Sequence, residues 1–254
     1  MKQRLLCLVT CVLTLALVAG AAHAFAPNAG LGLVPYNFDY VGTWANHNIE
    51  CQTWRKNQPG CQPSAQSPGT HSSVRTQALP RGVSVASLNT GKPFATTMGI
   101  ERMVAHYPAQ YQQQITKTFT TLISTFDQTI PRTYGIPANN LASAYAAVLA
   151  GSYAAYTNRP FPENAVKPLF KQVQQGMLNN PQTSQVSMDE KNAMYQIWVG
   201  TGMYLLGWQA ELAKHPDPQQ QAKMQKAGAD ALRAALGGAD PSRVRFTASG
   251  MQMH

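Results

Sequence analysis

Residues 187–215 read SMDEKNAMYQIWVGTGMYLLGWQAELAKH, the longest run of the chain without proline and the holder of Trp198 and Trp208, two of its four tryptophans. Any fold must bury this stretch. Ser187 and Glu190 have the S-x-x-E spacing of a capping box. Asp189 and Glu190 place negative charge where a helix dipole favours it. Met194, Ile197, Trp198, Thr201, Tyr204, Leu205, Trp208 and Leu212 recur at three- and four-residue steps, the helical period. Lys214 and His215 fall in the last turn, and Pro216 is the stop. Such a helix spans about 40 Å. Gly200, Gly202 and Gly207 lie inside it, each about 1 kcal/mol worse than alanine there. Close packing against a neighbouring helix is the plain explanation; a kink or a ligand contact is the sharper one. A phosphate-cradling loop does not fit, because the spacing is G-x-G-x-x-x-x-G and no strand precedes it.

Further helices flank this one. Ile100, Met103, Val104 and Tyr107 make one apolar face. Tyr111, Ile115, Phe119, Leu122, Ile123, Phe126 and Ile130 continue it beyond Pro108, which starts a new helix or kinks one. Pro131 and then Gly135-Ile136-Pro137 end that segment. Asn139 or Asn140 caps a helix to Thr157. Its small residues Ala142, Ala146, Ala150 and Gly151 admit a close neighbour, so it is expected at the centre. Val166, Leu169, Phe170, Val173 and Met177 mark a helix within 160–180, starting near Pro162 or Pro168. Asp217-Pro218 opens the last one, which carries Met224, Ala227, Ala231, Leu232 and Leu236 and stops at Gly237-Gly238. A turn at Asp240-Pro241 and an extended Val244-Arg245-Phe246 follow, placed to lie back along the bundle. The fold class is all-α: a single bundle of about five helices over 99–238, with a short tail, 239–254, and no internal repeat.

The N-terminus carries an address. Lys2 and Arg4, the apolar run Leu5 to Ala19, and Ala22-His23-Ala24 read as a signal peptide over 1–24, cleaved after Ala24. The apolar run is too short for a membrane span, and no later segment has 18 unbroken apolar residues. The mature chain is therefore expected without a transmembrane segment, in the periplasm or secreted. Cys51 and Cys61 remain after cleavage, and in an oxidising compartment they are expected to form a disulfide. It would stabilise by roughly 2–3 kcal/mol if its segment is folded. A metal site from Cys51, Cys61, His47 and His71 lacks any standard zinc spacing. Residues 25–98 are rich in Pro, Gly, Ser, Asn and Gln and read as a mostly irregular arm. Tyr36, Phe38, Tyr40, Trp44 and Trp54 suggest partial order there, followed by a flexible linker over 62–97.

Asn139-Asn140-Leu141-Ala142, the run Leu149-Ala150-Gly151-Ser152-Tyr153, and Asp240-Pro241…Val244…Phe246-Thr247…Gly250 resemble a secreted bacterial family of unknown function. The likeness covers roughly 99–250. It implies an all-helical, exported protein and carries no activity.

Charge and chemistry narrow the function. The net charge of +9, which becomes +7 once Lys2 and Arg4 leave, favours anionic neighbours such as cell-wall polymers or lipid headgroups. No nucleic-acid-binding motif is present, so nucleic acid is not expected. Within the helical domain Glu163, Asp189, Glu190 and Asp217 are explained as helix-start residues. Glu101, Asp127, Glu211 and Asp230 remain as material for the carboxylate pair of a cell-wall glycosidase. There is no G-x-S-x-G elbow, and Gly151-Ser152 lies mid-helix. His106 is the one histidine placed for catalysis, since His47 and His71 are in the arm, His215 ends a helix and His254 ends the chain. No H-E-x-x-H or E-x-x-H appears, so no metal or cofactor is implied. The function expected is an exported binding module for an envelope protein or an anionic cell-wall polymer. The alternatives are an envelope hydrolase built on two of those four carboxylates, or a small apolar ligand held between helices near Gly200 and Gly207.

Overall fold

The computed structural model describes residues 83–254. The Ala24 cleavage site, the Cys51–Cys61 pair and the Tyr36–Trp54 aromatics lie outside the described residues. Within them the chain forms α1 (Met98–Val104), α2 (Ala109–Tyr134), α3 (Leu141–Thr157), α4 (Val166–Leu178), α5 (Met188–Lys214) and α6 (Pro218–Ala235), then a hairpin of β1 (Val244–Thr247) and β2 (Gly250–Met253). The bundle is all-α, as its periodicity predicts.

Pro108 takes one of its two expected roles, and Pro131 departs from expectation. Pro108 separates two helices completely: α1 stops at Val104, and Pro108 takes the N-cap position before Ala109. Among the described residues the count is therefore six helices. Pro131, expected to end α2, sits in its last turn, and the helix runs on to Gly135 at φ 67°. A proline so near the end removes only the bond to the Asp127 carbonyl, and glycine accepts the left-handed cap.

Every residue of α5 from Lys191 to Gly202 is buried, and α3 is buried on nearly all sides. A helix apolar all round belongs in the centre. These two helices cross at glycine: a Cβ on Gly202 would stand 2.3 Å from the Ala147 carbonyl oxygen. Beside that crossing the Tyr145 and Trp198 rings meet edge to face at 5.0 Å. The Tyr145 hydroxyl donates to the Ala235 carbonyl and so ties in α6. α1 and α2 cover α5, while α4 and α6 cover α3. At the start of α5, Ser187 accepts from the Glu190 N–H at 3.3 Å. The Glu190 carboxylate turns to Arg102 on α1, meeting it at 3.0 and 3.2 Å.

The tail is a hairpin, with Val244 opposite Met253 and Phe246 opposite Met251. Phe246 packs on Tyr153 and Phe161 with ring centroids 4.7 and 5.1 Å away. Gln172 of α4 holds the other strand: its Nε2 donates to the Met251 carbonyl at 3.1 Å, and its Oε1 accepts the Met251 N–H at 2.7 Å.

Of the stretch expected as linker, residues 83–97 are docked on the bundle. A 3-10 turn spans Val85–Leu88, with Leu88 fully buried. Asn89 then forms an antiparallel bridge with Asn140.

Candidate functional site

The four candidate carboxylates each have a different neighbour. Glu101 accepts from the Thr97 hydroxyl at 2.6 Å. Glu211 lies 3.7 Å from His215 Nε2, one turn along the same helix. Asp230 is paired with Lys226 at 2.6 Å and Arg233 at 3.4 Å, both on α6. Asp127 accepts from the Tyr195 hydroxyl. Each carboxylate has its own neighbour on its own part of the fold. His106 is exposed in the turn after α1, and Ser152 is buried within α3. Beside Gly200 the space is filled by Met103 and Phe119, whose nearest atoms lie 3.0 Å from a Cβ built there, whereas Gly207 has nothing within 4 Å. Among the described residues, no group of three His, Cys, Asp or Glu side chains could hold a metal ion. No helix there is long and apolar enough to cross a membrane.

The most organised polar array was not anticipated from the sequence. It begins at Asp127 and Tyr195. The Tyr195 hydroxyl donates to the carboxylate and accepts the Asn139 N–H at 3.1 Å. The Asn139 carbonyl accepts the Thr90 N–H at 2.9 Å. Asn192 Nδ2 donates to the carbonyls of Thr90 and Lys92 at 3.3 and 3.1 Å. Gln196 Nε2 donates to Asn192 Oδ1 at 2.8 Å and to the Thr96 carbonyl at 2.5 Å. Its Oε1 accepts the N–H groups of Gly99 and Ile100 at 3.0 and 3.2 Å. Asn192 and Gln196 stand one turn apart on a buried face of α5, and that placement is the only trace of the array in the sequence.

Burial sets the electrostatics here. It pushes the Asp127 carboxyl above the ordinary aspartate range, and the hydrogen bond from Tyr195 draws it part of the way back. Burial, and then the Asp127 charge, drive the Tyr195 phenol far above its usual range, so it stays protonated and donates. Chemically, the array grips backbone: its carboxamides bind N–H and C=O groups of residues 90–100, while the Tyr195 hydroxyl joins α5 to α2 and to Asn139 before α3.

The residues behind the family resemblance have structural tasks. The Asn140 side chain caps α3 by accepting the Ala142 N–H at 2.9 Å. Asp240 accepts the Ser242 N–H at 2.9 Å. Gly250, at φ 98°, opens β2 against Gln172. On the surface, Lys167 and Lys171 of α4 and Arg245 of β1 are exposed, and among the described residues none of the three has an ion-pair partner.

The chain belongs to the family of unknown function DUF6683, whose model matches residues 2–254. That match extends well beyond the 99–250 region that carried the resemblance. No curated protein and no solved structure matches the chain.

Proposed function

We propose that this member of the DUF6683 family is an exported, non-catalytic domain that binds an anionic polymer of the cell envelope. One observation carries the reading: Lys167, Lys171 and Arg245 are exposed without acidic partners, while Glu190 and Asp230 are engaged by Arg102, Lys226 and Arg233. An excess of unpaired cations on one molecule attracts polyanions by long-range field and by contact. Export rests on the 1–24 signal pattern, and the Cys51–Cys61 disulfide belongs to the same proposal. The hydrolase alternative gains no support, because its four carboxylates have separate partners.

Binding of the mature protein to purified wall polymer, measured at low and at physiological ionic strength, tests the proposal. Binding should weaken several-fold as salt screens the contact. The combined variant Lys167→Glu, Lys171→Glu, Arg245→Glu should weaken it about tenfold. Salt-insensitive binding, or near-stoichiometric capture of one envelope protein, would replace the polymer with a protein partner. N-terminal sequencing of the exported product should begin at Phe25.

A further inference from the structure

Residues 83–97 lie across α5 and the start of α3 and bury little of themselves. Only Leu88 and Thr90 among them are buried, with Phe94 half-buried. Leu88 is its one apolar anchor in the core, with Phe94 packed against the edge, and the other contacts that hold the segment are polar. Asn192 grips the carbonyls of Thr90 and Lys92, and Gln196 grips the Thr96 carbonyl and the N–H groups of Gly99 and Ile100 just beyond. At the other edge Thr90 bonds the Asn139 carbonyl, and Asn89 bridges to Asn140.

The docked arrangement also carries costs at this contact. Phe94 holds φ 54°, the left-handed region that bulky side chains avoid, and Asn139 shares that region at 52°, at the lower cost asparagine pays there. The third such residue among those described, Asn158, is simply a helix C-cap. Thr90 Oγ1 and Asn139 Oδ1 are buried without a hydrogen-bond partner. A buried polar atom left unpaired favours whichever state lets water reach it. Strained backbone and unpaired polar atoms that coincide in one place are the features of a segment with two states.

We infer that residues 83–97 are a releasable strap, latched by Asn192 and Gln196, which opens while the six helices stay folded. The central crossing does not use it: α5 meets α3 through Gly202 and Trp198, on a different face from Asn192 and Gln196, and Leu88 is the strap's single buried apolar side chain. The inference is independent of what the protein binds.

Amide hydrogen exchange on the full mature chain, read by mass spectrometry, tests it. Peptides carrying the Thr90 amide should exchange at least about 100-fold faster than those of α3, because they open without global unfolding. Gln196→Ala should speed strap exchange about tenfold further and leave α3 unchanged. Asn139→Gly, which relieves the left-handed residue and removes the unpaired Oδ1, should slow strap exchange severalfold. Strap peptides that exchange in step with α3 in the unsubstituted protein would overturn the inference. So would a Gln196→Ala protein in which α3 accelerates as much as the strap. Should Gln196→Ala fail to fold, the unsubstituted protein and Asn139→Gly decide the matter.

Discussion

Gly202 and Gly207 lie five residues apart on one helix and have opposite surroundings. A methyl at 202 would strike the Ala147 carbonyl at 2.3 Å, backbone that cannot swing aside, whereas at 207 nothing lies within 4 Å. Gly202→Ala should therefore destabilise by about 1–3 kcal/mol or more through overpacking. Gly207→Ala should stabilise by up to about 1 kcal/mol, the helix-propensity gain. Urea unfolding midpoints at unchanged m-value check both. Propensity alone prices the two glycines equally, which is why the sequence predicts close packing for the set and cannot say that Gly207 is exempt. Asp127 supplies a second prediction. Its folded-state carboxyl titrates above the unfolded value because it is buried. The folded protein therefore holds the proton more tightly, and stability falls as pH rises from the ordinary aspartate value, about 4, through the raised folded value. Asp127→Asn keeps an acceptor for Tyr195 and removes the titration, so that downward slope should disappear from a stability–pH profile. A slope unchanged in the variant would assign it to another carboxylate; Glu190, also raised by burial, is the next to substitute.

The helices, read as about five with the break at Pro108 left open, were legible as elements because their signals are local: apolar period, capping asparagine or aspartate, terminal proline. The strap and hairpin were not, because their partners are distant in sequence. Asn192 reaches a carbonyl 102 positions away, and Gln196 accepts an N–H 97 positions away. Composition makes 83–97 look like linker, and nothing near Thr90 announces that a carboxamide on α5 will hold it. The hairpin is similar: Val244-Arg245-Phe246 reads as extended, but Gly250–Met253 pairs with it only because Gln172 and the Tyr153–Phe161 ring pair fix it to the bundle. A two-stranded hairpin is marginal alone. Gln172→Ala should cost about 1–3 kcal/mol, since it strips both bonds from the Met251 backbone. The loss should register first as faster exchange of the Met251 amide than of any α3 amide. A hairpin that keeps its protection in the variant would credit Phe246 packing with the whole attachment. The candidate site follows the same rule: a carboxylate list can be drawn from the sequence, but the separate neighbours that disperse it are set by the fold.

At the scale of the whole molecule, the helical body and the cysteines occupy different parts of the chain. Cys51 and Cys61 precede residue 83, and 83–254 contains no cysteine. The large core side chains that organise the body, Trp198, Tyr145, Leu149 and Ile197, are buried against one another and against α2, α4 and α6. The body should thus unfold as its own cooperative unit, indifferent to redox state. Reducing agent should leave the midpoint of thermal unfolding, followed by helical circular dichroism, unchanged, while thiol labelling reports whether the proposed Cys51–Cys61 bond has opened. The magnitudes make the test decisive. Were the disulfide part of the same cooperative unit, its loss would remove roughly 2–3 kcal/mol. For a body of this size that amounts to about 4–12 °C in midpoint. A drop of that size would join the cysteine segment to the core, and an unchanged midpoint with two newly labelled thiols would separate them.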